Sequence, residues 1–384
     1  PIFPESELTA LIKKFNVNQV VFSYSDVPFP YVMAKDAMVN AAGADFVLLG
    51  ANDTMIKSTK PVVSVVASRT GAGKSQTSRK VVEILQGLGL KTVSVRHPMP
   101  YGDLAKQKVQ RFAAISDLKK HDCTIEEMEE YEPHIARGNV IYAGVDYEAI
   151  LREAEKEADV IIWDGGNNDT SFYKSDLTIT VVDPHRAGHE MSYYPGRTNV
   201  HLADVVVINK IDSANLEQIN TVRENVSKLN PAAKIVEAAS PISLDFEKDA
   251  KLIRGKRVLV IEDGPTLTHG EMKYGAGTIA AQKFEAGEIV DPRPYAVKSI
   301  SDTYKKYPGI GILLPAMGYG DKQMKDLENT INKVPCDAVI IGTPIDLRRV
   351  IKIDKPAVRV SYNLQEIGHP DLKTILTDFV KKYK

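Results

Sequence analysis

The octapeptide Ser68-Arg69-Thr70-Gly71-Ala72-Gly73-Lys74-Ser75 brings together the residue types that hold a nucleoside triphosphate. Closely spaced glycines let backbone N–H groups approach phosphate oxygens, and a helix that begins there adds its positive end. Lys74 is expected to reach the β and γ phosphates and the Ser75 hydroxyl to bind magnesium, with Gly71, Ala72, Gly73 and Gln76 as further nucleotide contacts. The first glycine usual in such a loop is Ser68 here, and a cation, Arg69, stands five residues before Lys74. The run Val-Ile-Ile-Trp-Asp-Gly-Gly at 160–166 supplies a second element, an apolar strand ending in Asp164. A carboxylate at a strand's C-terminal end lies on the rim where doubly wound sheets bind ligands, so Asp164 is the candidate second magnesium residue.

Two further loops concentrate cations and imidazoles. One carries Arg96 and His97; the other carries His185, Arg186 and His189, with Arg197 soon after. In a chain of net charge -1, six of whose eight histidines fall between residues 97 and 201, this predicts an anionic ligand beside the γ phosphate. His97, His185 and Arg186 are catalytic candidates beside Lys74, Arg69 and Asp164. Arg96, His97, Arg111, His185, Arg186, His189, Arg197 and His269 are candidate substrate contacts, Arg111 from a helix that also carries Lys106 and Lys108. The histidine spacings offer a zinc site only loosely. Asn209-Lys210-Ile211-Asp212 closes a later strand and matches the tetrad that reads guanine, the aspartate accepting two N–H groups that adenine lacks. The cofactors expected are therefore ATP or GTP with Mg2+.

These groups need a scaffold that carries them to one rim. Buried strands are expected at 61–67, 91–95, 140–142, 160–164, 177–182 and 204–209, with helices such as 77–88, 147–157 and 215–229 between them. That alternation means α/β, a three-layer, doubly wound, mostly parallel sheet. The acidic stretch 126–132 reads as a solvated helix face. Before residue 60 the order is helix, strand, helix, strand, with a buried strand at 45–49, which implies a Rossmann-like unit whose first strand lies before Pro1. A charged segment near 245–254 precedes a third α/β unit. The expected division is 1–59, the remainder of an N-terminal Rossmann-like unit; 60–250, a P-loop NTPase domain; and 251–384, a C-terminal α/β domain.

Composition excludes several classes. With 49 basic against 50 acidic residues there is no nucleic-acid tail, and no apolar run is long enough for a membrane span or a signal peptide. Two cysteines, Cys123 and Cys336, far apart and outside any metal spacing, fit a reducing, cytoplasmic compartment.

Taken together, Arg-Thr-Gly-Ala-Gly-Lys-Ser (69–75), Val-Arg-His-Pro-Met-Pro-Tyr-Gly-Asp-Leu (95–104), Asp-Gly-Gly-Asn-Asn-Asp (164–169), Val-Asp-Pro-His-Arg (182–186) and Glu-Asp-Gly-Pro-Thr-Leu-Thr-His-Gly (262–270) resemble one group, over essentially all 384 residues. It is the group of P-loop proteins commonly labelled cyclic 2,3-diphosphoglycerate synthetases. In the wider class, with the signal-recognition GTPases, MinD-type ATPases and dethiobiotin synthetase, many members carry a lysine at the place of Arg69 as a second phosphate contact. The resemblance thus gives Arg69 that role and implies a homodimer. It also implies nucleotide-driven closure of a phosphoanhydride in 2,3-bisphosphoglycerate, a small polyanion, with release of nucleoside diphosphate and phosphate. The alternative is a GTPase that acts as a regulatory switch or as an assembly or metallochaperone factor.

Overall fold

The computed structural model describes residues 2–97, 103–166, 169–264, 267, 273–316 and 320–383. Its larger sheet has nine strands in the order Gln365–Ile367, Lys234–Ala239, Val205–Ile208, Leu177–Val182, Val62–Ala67, Val160–Asp164, Thr92–Arg96, Val140–Ala143 and Gln110–Phe112. Neighbours are parallel except at the two edges, where Gln365–Ile367 and Gln110–Phe112 run antiparallel. The central strand, Val-Val-Ser-Val-Val-Ala, is buried at every position, as a β-branched strand covered on both faces should be. Its register pairs Val65 with Asp164, and Arg96 pairs with Asp164 on the other side, so three strands end on one rim. Helix Lys74–Gly87 starts at that rim and buries Val81, Val82 and Leu85 against the sheet.

A second sheet of six strands follows: Ile242–Leu244, Ala357–Tyr362, Ala338–Gly342, Arg257–Asp263 and Glu288–Ile289, with Leu314–Ala316 also beside Arg257–Asp263. The chain does not stay with this sheet to its end. Strand Gln365–Ile367 rejoins the nine-stranded sheet, and helix Leu372–Lys381 sets Leu372, Leu376 and Phe379 into the core beside Val63 and Leu85. The last twenty or so residues thus tie the third unit to the second, where sequence patterning runs the third unit on to Lys384. Among the described residues, no helix is long and apolar enough to cross a membrane, and both cysteines are free.

Three local expectations need correction. The strand at 45–49 is Asp45–Val47, pairs with Gln19–Val21 in a two-stranded sheet and is at most half-buried, with Leu48 and Leu49 exposed. Lys106 and Lys108 lie in a turn and Arg111 in the edge strand Gln110–Phe112, because the segment adds to the sheet instead of covering it. The acidic stretch is helical, as helix Ile125–Ile135 with a capping box in which Glu127 N–H donates to Thr124 Oγ1 at 3.3 Å. It is not solvated: Glu126, Glu127 and Glu129 are only 3–4% exposed, since the helix lies between the two sheets and its Ile125 packs in the second core.

Leu376 is fully buried in the helix that makes the return. Leu376→Ala should cost about 2–5 kcal/mol in chemical denaturation, and a cost under about 1 kcal/mol would show that the returning helix is only loosely docked.

Candidate active site at the phosphate loop

The phosphate loop turns through left-handed glycines, Gly71 at φ 80° and Gly73 at φ 109°. A side chain at Gly73 would put its Cβ 2.0 Å from Asn209 Nδ2. That closeness has a use: Asn209 Nδ2 donates to Ala72 O at 2.9 Å, and Lys210 Nζ donates to Gly71 O at 2.7 Å. Lys210 also pairs with buried Asp183 at 2.9 Å. Asn209 and Lys210 therefore brace the loop from the end of strand Val205–Ile208, two places away in the sheet. Asp212 is exposed, accepts the Ser240 N–H at 2.9 Å and does not line the cavity described below. Gln76 meets the same Ser240 by its side chain at 3.0 Å.

Asp164 is fully buried. Its Oδ1 accepts from Lys74 Nζ at 2.6 Å and Ser78 Oγ at 2.7 Å, and His134 Nε2 lies 3.0 Å from Oδ2. Arg96 stands 3.5 Å away. Burial opposes the charge on Asp164, but Lys74, Arg96 and His134 outweigh it and hold the carboxyl well below the usual range. Lys74 moves down, under burial and the Arg96 charge, against the pull of Asp164. The histidine's tautomer follows from its neighbours. Asn139 takes the Thr92 hydroxyl on its oxygen at 2.7 Å and donates from Nδ2 to His134 Nδ1 at 3.1 Å, so Nδ1 accepts and Nε2–H faces Asp164.

Arg69 is held on three sides. Its Nε lies 2.7 Å from Asp26 Oδ1, its Nη1 2.7 Å from His189 Nδ1, and its guanidinium 3.7 Å from the centre of the Tyr193 ring. Tyr193 and Tyr194 pair with Pro28 and Val27, so the N-terminal segment reaches the phosphate loop through this arginine. Burial first, then Arg69 and Arg186, push His189 down to about 4, leaving a neutral ring that accepts from Arg69.

The loop opens on a cavity of about 190 Å3. Arg69, Lys74, Arg96, His185 and Lys210 line it, together with Glu129, Glu130, Glu262, Asp263 and Tyr274. Glu130 pairs with Arg96 at 2.6 Å. Burial and then Asp263, to which it hydrogen-bonds, raise Glu129 well above the ordinary carboxyl range. Glu262 takes the N–H groups of Gly275, Gly277 and Thr278 at 3.1, 3.1 and 2.7 Å, yet burial pushes it up to about 7. The His185 ring stands edge-on to Tyr274 at 6.4 Å, joining the strand-end loop of one sheet to the other.

Of the residues expected to act together, Lys74, Ser75, Gln76, Arg69, Arg96 and His185 line the cavity. His97 stands beside it, 3.6 Å from Asp169 and against Gly166, while Arg186 is tied to Asp183 at 3.1 Å. Arg197 lies over the Phe29 ring. Arg111 is drawn away from the site, exposed and in a bidentate pair with Glu157 at 2.8 and 2.7 Å, because its edge strand faces another part of the surface. His269 lies outside the described residues. His134, Glu129 and Glu130 were not anticipated. Their signal was the capping box at Thr124, which starts a helix on which positions 130 and 134 share a face.

The depressed His189 stabilises the fold fully above its unfolded value of 6.5, and that stability is lost as pH falls toward about 4. His189→Gln should therefore flatten the acid side of the Tm-against-pH curve across this interval. A wild-type-minus-variant difference that stays constant from pH 7 to pH 4 would count against the Arg69–His189 contact.

Residues 135–239 match the family model described as cyclic 2,3-diphosphoglycerate synthetase, P-loop domain. The cyclic 2,3-diphosphoglycerate synthetase of Thermococcus sibiricus is 29% identical over 117 residues, 30% of this chain and 26% of that protein. Among solved structures, LpxK of Aquifex aeolicus in complex with ATP superimposes with a TM-score of 0.54 at 13% identity, over 91% of this chain and 97% of that one, which confirms the P-loop α/β fold. Arginine synthetase ArcE of Thermococcus kodakarensis is 62% identical over 381 residues, 99% of this chain and 84% of that protein. The chain therefore belongs to the family of P-loop synthetases that includes arginine synthetase ArcE.

Proposed function

We propose that this nucleotide-dependent synthetase makes arginine. The observation that carries the reading is the 62% identity to arginine synthetase ArcE over 99% of this chain. The cavity is compatible with it: Glu129, Glu130, Glu262 and Asp263 line, with the phosphate loop, a space of about 190 Å3, and carboxyl oxygens can accept the forked N–H groups of a guanidinium. The nucleotide, ATP or GTP, lies on the Gly71–Lys74 side, where Lys74 and Arg69 meet its terminal phosphates. The oxygen donors Ser75 and Asp164 suit Mg2+, which when bound neutralises phosphate charge. Asp164 already accepts from Lys74, Ser78 and His134, so its part is to fix Lys74, and with Ser75 it would supply oxygen to the metal. His185 and Tyr274, facing each other from the two sheets, are placed to exclude water from the phosphoryl group in transit.

Cyclisation of 2,3-bisphosphoglycerate is the second reading, supported by the P-loop match over 135–239 and by the cations Arg96, His97, His185 and Arg186. It ranks below the first because the cyclic 2,3-diphosphoglycerate synthetase matches 30% of this chain, whereas arginine synthetase ArcE matches 99% of it.

A synthetase must run backwards. In the forward direction the γ phosphoryl passes to the oxygen of a ureido group and ammonia then displaces it as phosphate, leaving the guanidino group of arginine. In reverse, arginine with nucleoside diphosphate and phosphate should yield nucleoside triphosphate, ammonia and the ureido compound, whereas 2,3-bisphosphoglycerate with triphosphate should yield no cyclic product by phosphorus NMR; the opposite pair of results would overturn the reading. Asp164→Asn should lower kcat about 10²-fold or more, because buried Lys74 loses its counter-charge at the reacting phosphate. In nucleotide competition, Asp212→Asn should weaken GTP about ten-fold and leave ATP unchanged if the Asn209-Lys210-Ile211-Asp212 tetrad reads the base; equal effects on both would remove Asp212 from that role.

A further inference from the structure

A second cavity, of about 210 Å3, opens where helix Lys74–Gly87 and helix Ile125–Ile135 meet the six-stranded sheet. Four arginines line it, Arg79, Arg137, Arg349 and Arg359, with Glu132 the one acidic residue among the described lining. Glu132 is already paired, with Arg349 at 2.6 Å. Arg137 donates to Pro133 O and Arg359 to Pro344 O, both backbone carbonyls that leave the charge uncompensated. Arg359 Nε is buried without a hydrogen-bond partner among the described residues. Arg79 is the decisive member: it is only 9% exposed, and its guanidinium lies over the Tyr362 ring at 6.0 Å. Outside the lining, Glu83 also bears on Arg137, but it is exposed and paired with Lys80 at 3.2 Å.

A buried guanidinium with no carboxylate partner among the described residues is costly, and Arg137 and Arg359 nearby add repulsion; proteins keep such groups where an anion completes them. Arg137 registers the crowding, being lowered by burial and then by Arg79, with Arg359 adding to it. The forked N–H groups of arginine match the oxygens of a phosphate. Tyr362 and Pro344 line this cavity and the phosphate-loop cavity alike. Arg79 follows Ser78, which bonds Asp164. We infer that the four-arginine cavity is a regulatory anion site for a phosphate group, which on binding clamps helix Lys74–Gly87 to the six-stranded sheet beside the active cavity. The phosphate comes either free or as a monoester; both carry the dianion the arginines lack. The inference does not depend on arginine being the product.

The test uses the full chain saturated with nucleotide, so that the phosphate loop is filled. Inorganic phosphate and glycerol 3-phosphate are titrated by calorimetry. One saturable site is expected for at least one of them, and its Kd should rise at least ten-fold in Arg79→Gln and in Arg137→Gln, with basal turnover unchanged. Binding of inorganic phosphate alone identifies the free ion as the ligand, and equal or tighter binding of the ester identifies a phosphate monoester; either supports the site. Absence of saturable binding by both probes, or equal affinity in wild type and variants, overturns it. Arg137 is exposed, so its variant decides the matter if Arg79→Gln fails to fold.

Discussion

The structure turns on one buried carboxylate. Asp164 sits at the end of an interior strand with no solvent exposure, where an unpaired charge would be prohibitive. Every element that meets there does so by compensating it: Lys74 and Ser78 from the helix after the phosphate loop, Arg96 from the adjacent strand, and His134 from the helix between the sheets. The same bonds that make the charge tolerable fix Lys74 in the place where phosphate charge must be met. The polar chain Thr92, Asn139, His134 continues inward from it, so the site's geometry is held by groups far from the solvent.

Around that point the cavity is built from both sheets. The phosphate loop is braced by Asn209 and Lys210 on one side and, through Arg69, by Asp26 of the N-terminal segment on another. Helix Ile125–Ile135 and strand Arg257–Asp263 add Glu129, Glu130, Glu262 and Asp263 to its lining. The near-neutral total charge of -1 is thus an average over a cationic loop, a group of acidic residues beside it and a separate arginine cluster.

Much of this was legible in the primary structure. Gly71, Gly73 and Lys74 specify a phosphate loop because few other combinations permit left-handed backbone and a cation at that spacing. The apolar strands and their order follow from runs of β-branched residues. The pairing of Arg111 with Glu157 and the burial of Glu126, Glu127 and Glu129 were not legible. A charge run on a helix has the same local pattern whether water or a second sheet covers it, and only the neighbour decides.

Local chemistry, then, was determined by the chain itself: nucleotide binding, the strand-end acid, and the parallel α/β scaffold that puts both on one rim, all of which depend on short-range backbone sterics and periodicity. The tertiary structure alone decided which acids face the phosphate loop, that His134 donates to Asp164, that the last helix returns to the first core, and that four arginines converge on a second cavity. Those facts rest on contacts between residues tens to hundreds of positions apart, such as Glu129 with Asp263 and Leu376 with the core around Val63. Packing, which minimises exposed apolar area and buried unpaired charge over the whole chain at once, is what brings them together.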